Sequence, residues 1–263
     1  MAQLAGVSIA VKKNHEVYYR SGITFHNKHI SLGSFLTEEE AHKAYLTAQA
    51  ILYTDDYTLE HPAADSLLSF DKQVSLMNYR DNGFYFGNPI YLYKQYFEYY
   101  LGSDICLKFD IDDLFYYGSH KIIKRGGHLC VADYGSQVSI HTRYGLKPYA
   151  VCGRDYISLS DDPYDYRRHN IQILNRYHGV SRTQKGNHTL YRAVIHIRGN
   201  YIIGDYETED EAAIAYNKAI DILHKKGVKK NFTPNYLDGL SPAVYAQIYT
   251  TVTISHKIVQ YSC

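Results

Sequence analysis

The 263-residue chain is long enough for more than one core, and its 45% hydrophobic and 21% charged content is that of a globular protein. No apolar run reaches the ~18 residues a membrane helix needs, and the start MAQLAGVSIAVKKN has no long apolar stretch behind a basic segment. A membrane partner and a secretory leader are therefore not expected. Net charge is only +1, so its distribution matters more than its size. Residues 1–60 carry 5 Lys+Arg against 7 Asp+Glu, residues 61–175 carry 12 against 13, and residues 176–230 carry 10 against 6. The positive charge is concentrated in that last segment. Cys106, Cys130, Cys152 and Cys263 form no C-x-x-C pair. That usage reads as reduced thiols in the cytoplasm, without the spacing of a zinc site. There are 29 Tyr and no Trp; this reflects either an AT-rich genome or a surface rich in contact-making side chains.

The first segment contains one copy of an internal repeat. SLGSFLTEEEAHKAYLTAQAIL (31–52) and IIGDYETEDEAAIAYNKAIDIL (202–223) match at ten of 22 positions at a constant offset of 171. Thr37 with Glu40, and Thr208 with Glu211, are capping boxes, so helices are expected near 38–52 and 209–225. Ala41, Ala44, Tyr45 and Ala48, with their counterparts, fall on one helical face. Before each helix the sequence alternates as strands do. The first copy reads GVSIAV, VYYRSGITF, a turn at His26-Asn27, and KHISLGSF. The second reads GVSR (179–182), then HTLYRAVIHIRGNYIIGDY with a turn at Gly199-Asn200. Each unit is thus expected to be three antiparallel strands and a helix.

Between the copies, FYFGNPIYLYKQYFEYY (84–100) is expected to hold a short helix after Pro89, with aromatics on all faces. Core packing is the favoured reading, an aromatic platform for single-stranded bases the alternative. Residues 107–153 read as strands and turns, with a hairpin at Gly126-Gly127. Ser241-Pro242 marks a helix start, and TTVTISHKIVQY (250–261) alternates like a strand.

The pattern YHGVSR…YRAVIHIRGNYIIGDYETEDEAAIAYNKAI…KNF (177–232) resembles the Apetala-two/ethylene-response-factor (ERF) DNA-binding domain, and residues 5–53 resemble it more distantly. In that family the sheet lies in the major groove, with Arg and Trp on the strands touching bases and phosphates. The resemblance places Arg182, Lys185, Tyr191, Arg192 and Arg198 at the DNA, with Tyr191 where the family commonly has Trp. In the N-terminal copy Ile9 stands at the position of Arg182. That copy is read as a second DNA contact or as a packing or dimerisation module.

The middle segment, GGHLCVAD…VSIHTRYGLKP…GRDYISLSDDPYDYRRHNIQIL, resembles the HNH homing endonucleases of phages, in which a unit of the ERF type often follows directly. Such a site needs a divalent ion on the scissile phosphate, a His as general base and an Asn to orient it. The resemblance assigns Asp155 and Asn170 to the metal. Tyr156 stands in the place of the base and Tyr166 in that of the orienting Asn. A Tyr with an ordinary pKa near ~10 is a poor base at neutral pH, so the site reads as a vestigial nuclease without activity. His141 reads as structural, and His169, on the opening turn of an expected helix, as pointing elsewhere. Arg167 and Arg168 read either as phosphate contacts or as structural partners of Asp162 or Asp165. No cofactor is expected beyond a divalent ion such as Mg²⁺, held weakly or not at all.

The expected class is α+β, with two ERF-like units (1–60 and 176–235) flanking a degenerate HNH-like domain (61–175), and a helix/strand tail (236–263). Three functions follow: a non-catalytic protein binding duplex DNA; a phage or mobile-element inhibitor that binds a host defence protein such as a CRISPR effector; and a divergent active nuclease. A homodimer is compatible with each. The DNA reading requires Arg182, Arg192 and Arg198 to share one exposed face, free of acidic partners.

Overall fold

The computed structural model describes residues 4–133, 135–148 and 150–262. The chain is α+β. It divides into two compact units, Met1–Val138 with Asp162–Asn170, and Ser139–Asp161 with Ile171–Cys263. Residues 61–175 contribute to both. No helix among the described residues is long and apolar enough to cross a membrane.

The first unit opens with an antiparallel sheet, β1 (Val7–Val11), β2 (Val17–Phe25) and β3 (Lys28–Phe35), covered by helix α1 (Glu38–Tyr53). The second contains its counterpart: β12 (Val180–Lys185), β13 (His188–His196), β14 (Asn200–Tyr206) and α4 (Glu209–Lys225). Both helices begin with the expected capping box; the Thr208 hydroxyl accepts from the Glu211 N–H and the Glu211 carboxylate accepts from the Thr208 N–H. The His26-Asn27 turn has both residues at positive φ, as a two-residue hairpin requires.

The duplication extends to irregular features. Register shifts at Ser21/Gly22 in one copy and at Ala193/Val194 in the other, leaving Leu32 and Ile203 as the extra residues of two β-bulges. Both are buried. Each first strand is preceded by a glycine at positive φ, Gly6 or Gly179, lying against the helix tyrosine at the repeat position, Tyr45 or Tyr216. Ala41, Ala44 and Ala48, like Ala212, Ala215 and Ala219, are wholly buried. With a methyl as the only side chain, the helix axis sits close to the sheet.

The rest of the first unit comprises α2 (Phe70–Asn82), a sheet of β4 (Ile90–Leu92), β5 (Tyr96–Leu101) and β6 (Ile105–Asp110), the short helix α3 (Leu114–Ser119), and a sheet of β7 (Ile122–Arg125), β8 (His128–Asp133) and β9 (Ser136–Ser139). The Gly126-Gly127 hairpin is present, joining β7 to β8. The helix expected after Pro89 is not: that stretch forms β4 and β5. Tyr, Phe and Ile favour a pleated surface, and the Pro89 carbonyl accepts from the Tyr100 N–H instead of opening a helix.

In the second unit β10 (Tyr156–Ser158) pairs with β11 (Ile171–Ile173). The helix expected from His169 is also absent, because Arg168–Asn170 makes one tight turn and the chain becomes β11. Helix α5 (Pro242–Thr251) starts at Ser241-Pro242 as expected. The strand expected over 250–261 is instead the end of α5, an extended stretch and the short helix α6 (His256–Val259). Its alternation comes from docking: Ile258 is buried in the core of the unit, and the Ser255 N–H donates to the Ile203 carbonyl at the bulge.

Gly179 tests the repeat. At φ +68, an added Cβ would lie 2.5 Å from the Val194 carbonyl oxygen and against the Tyr216 ring. Gly179→Ala is expected to cost about 2 kcal/mol or more in urea unfolding. Gly227→Ala, at φ +88 with open space around it, should cost only about 1 kcal/mol.

Candidate functional site

The segment 154–174 is distributed over the two units. Asp155 and Tyr156 belong to the second, and Tyr166 and Asn170 to the first. Asp155 is 5% exposed. Its Oδ2 accepts from the Val151 N–H (3.0 Å) and from Arg154 Nε and Nη2 (3.0 and 2.7 Å), and Lys147 Nζ stands 3.8 Å from Oδ1. Burial alone would raise its pKa, yet the Arg154 hydrogen bonds, the Val151 N–H and the Lys147 charge together hold it below the usual carboxylate range. Burial pushes the Lys147 ammonium down, with Asp155 opposing that shift. The backbone carbonyl of Asp155 accepts from the Leu174 and Asn175 N–H groups, and Asn175 carries the network on, donating to the Arg154 carbonyl and accepting from the Arg182 N–H. Tyr156 is buried beside His141, ring centroids 5.9 Å apart.

In the first unit, Tyr166 is buried and stacks on Phe109 at 5.7 Å. Asn170 is buried and donates its amide to the Asp165 carbonyl at 2.9 Å. Arg167 forks onto Asp165 (2.9 and 2.6 Å) and lies over the Tyr96 ring, so of its two readings the geometry favours structural pairing. Lys108 pairs with Asp162 at 3.0 Å. Arg168 is exposed, its backbone N–H bound to Asp110.

A divalent ion on Asp155 would have to displace Arg154 and compete with Lys147, and the Asn170 amide is turned to backbone. Among the described residues no three His, Cys, Asp or Glu side chains form a metal-holding group. Cys106, Cys130 and Cys152 are free thiols, and Cys263 lies outside the described residues. Burial raises the Cys106 pKa to about 12, which makes that thiol a poor nucleophile.

On the β12–β13–β14 sheet of the second unit, Arg182 is registered with Tyr191, and Ser181 with Arg192. Arg182 and Arg192 therefore project to opposite faces, and the single arginine face expected from the sequence is not formed. Arg182 and Tyr191 lie on the side of Val180 and Ala193, which α4 covers; Tyr191 packs at the rim of that core. Arg192 is on the far side and forks onto Asp205 at 2.7 and 2.9 Å. The sequence signal for this pairing was an acid at the cross-strand position, invisible until register was known.

A different basic surface exists. Lys230 Nζ donates to the His196 carbonyl (2.9 Å), and His224 Nε2 contacts the Lys230 carbonyl (3.2 Å). These bonds tie the segment after α4 to the β13–β14 hairpin, whose tip carries Arg198. Arg198, Lys225, Lys226, Lys229 and Lys230 are all exposed there. The run HKKGVKKNF (224–232), four lysines and no acid, was legible as charge but had no position before the fold was known. Lys185 is exposed at the other end of the sheet.

No known protein-family model matches the chain, and neither a curated protein nor a solved structure does.

Asp155→Asn removes the charge that holds Arg154 and Lys147, and an expected cost of about 3 kcal/mol is measurable by urea unfolding at neutral pH. Because the folded protein lowers the Asp155 pKa from its ordinary 3.8, that contribution is complete above this value. It is lost as pH falls through the folded-state pKa. The parent and variant stability curves should converge toward low pH.

Proposed function

We propose that the chain is a non-catalytic protein that binds duplex DNA, built from two ERF-like units and a degenerate HNH-like segment, and that binding runs mainly through phosphate contacts of the second unit; the form of this reading that needed one arginine face on the sheet is given up, because Arg182 and Arg192 lie on opposite faces and Arg192 is paired with Asp205. The observation that carries this reading is the basic end made by Arg198, Lys225, Lys226, Lys229 and Lys230 on a segment hydrogen-bonded to the β13–β14 hairpin. Phosphate contacts of this kind supply affinity without sequence preference. Lys185, Arg182 and the exposed Arg168 are secondary contributors. Arg192, already neutralised by Asp205, contributes little. The site needs no metal: Tyr156 and Tyr166 occupy the base and orienting positions of the resemblance, and Asp155 serves as the anchor of Arg154 and Lys147.

A second reading, an inhibitor that binds a defence nuclease such as a CRISPR effector, is favoured by the outer sheet face. There Leu190, Val194 and Ile202 surround the neutral Arg192–Asp205 pair. Such a face suits protein contact better than phosphate.

A gel-shift series on mixed-sequence duplex, with and without Mg²⁺, separates the two. Binding at about 50 mM salt that weakens steeply by about 200 mM, without cleavage, is expected. Replacing Lys225 and Lys229 by Ser should lower the salt slope by about 2, and Arg192→Ala should leave affinity within about twofold. Absence of any shift at the lower salt sinks the DNA reading, and co-elution with a purified CRISPR effector would then support the second.

A further inference from the structure

The aromatic stretch 84–100 builds a pocket that DNA binding does not use. On β5 the residues alternate: Phe97 and Tyr99 are wholly buried, while Tyr96, Glu98 and Tyr100 point to the opposite face. Tyr91 on β4 is registered with Glu98, so it shares that face. Tyr91, Glu98 and Tyr100, with Tyr93, Arg80 and Asp81 from α2, Met77, and Thr58 to Glu60, line a cavity of about 570 Å³. That is within the usual size of small-ligand pockets.

Glu98 sits at its wall, 8% exposed. Its Oε2 accepts from the hydroxyls of Tyr93 (3.1 Å) and Tyr100 (2.5 Å). No ion pair to Glu98 forms among the described residues. The cations that the pocket lining, strand register and ring contacts place beside it are committed to other acids. Arg80 forks onto Asp81 and donates to the carbonyls of Ile51, Thr54 and Tyr57; Lys108, across the strand from Glu98, pairs with Asp162; Arg167 pairs with Asp165. The pocket thus holds Glu98, Glu60 and Asp81 against Arg80 alone. Its aromatic wall includes Tyr91 and Tyr93, ring centroids 5.2 Å apart, with Tyr96 stacked on Tyr93 at 4.7 Å.

We propose that this pocket binds an alkylammonium group, seated on the tyrosine faces with its charge against Glu98. A buried carboxylate without a counter-cation is costly, and aromatic rings favour a desolvated cation over a neutral group of the same shape. The phenols are suited to the part. Burial is the first cause raising the pKa of Tyr91, to about 12, and those of Tyr93 and Tyr100 further, so all three stay protonated. Tyr93 and Tyr100 then remain donors to Glu98, and Tyr91 donates to Asp81 at 2.9 Å. The ammonium comes either from a free amine or from a lysine side chain of another protein; the chemistry is the same. None of the residues assigned to DNA contact lies in this pocket.

Calorimetric titration of the full chain decides. The probes are choline, its uncharged isostere 3,3-dimethylbutan-1-ol, spermidine and N-acetyl-lysine methylamide. At least one ammonium probe should bind saturably, with dimethylbutanol at least about tenfold weaker than choline. Glu98→Gln should weaken the ammonium probe by about tenfold or more, and Tyr93→Ala, at a side chain already 37% exposed, should weaken it while leaving the fold intact. Preference for spermidine identifies a free polyamine, and preference for the lysine amide a protein partner. The proposal fails if no ammonium probe saturates by about 10 mM, or if dimethylbutanol binds as well as choline. It also fails if Tyr93→Ala, folded by circular dichroism, binds every probe as the parent does.

Discussion

A three-stranded sheet cannot stand alone in water; one face must be covered. In both repeats of this chain the cover is a helix held close by a stripe of alanines, Ala41, Ala44 and Ala48 or Ala212, Ala215 and Ala219. That proximity sets the rest. It demands glycine where Gly6 and Gly179 pass the helix tyrosine, and it fixes which strand residues face inward. The Asn217–Asn235 pair then holds the chain beyond α4 against the unit through reciprocal side-chain and backbone bonds.

The charged groups of the segment 154–174 follow a different logic. Each acid in it that is buried has acquired a partner from close in sequence: Arg154 for Asp155, Arg167 for Asp165. A carboxylate in a partly dry site is tolerable only with such a neighbour. The same neutralisation removes the group from chemistry with ions. Where a buried acid lacks a cation, at Glu98, tyrosine hydroxyls stand in, and the field of the pocket stays negative. The near-zero net charge of the whole chain hides this contrast between an acidic aromatic hollow in one unit and a lysine-rich end in the other.

The repeated unit was legible in sequence because helix caps and the alanine period are local signals: Thr37, Glu40, Thr208 and Glu211 do in the structure what their spacing implies. The hairpins at His26-Asn27 and Gly126-Gly127 were legible for the same reason. Stretch 84–100 was misread because a proline before an aromatic run suits a helix start and an edge strand alike, and only pairing with β6 decides between them. The C-terminal alternation was misread because an irregular segment docked on a core also shows alternate burial. For the candidate site, the residues were legible but not their partners. Whether Arg192 is available depends on Asp205, thirteen residues away, and on a register that no local pattern encodes.

The paired bulges at Leu32 and Ile203 have a consequence for how the two copies have drifted apart. A slip of one residue would turn every inward side chain outward, and a buried bulge residue makes that slip expensive by locking one alignment. With alignment secured from within, the outward positions are released from any part in folding. One copy can hold Ser34 opposite Arg20 where the other holds Asp205 opposite Arg192, and neither core registers the exchange. The duplication thus yields two frames of the same build whose outer surfaces are free to be rewritten independently, each for a different neighbour.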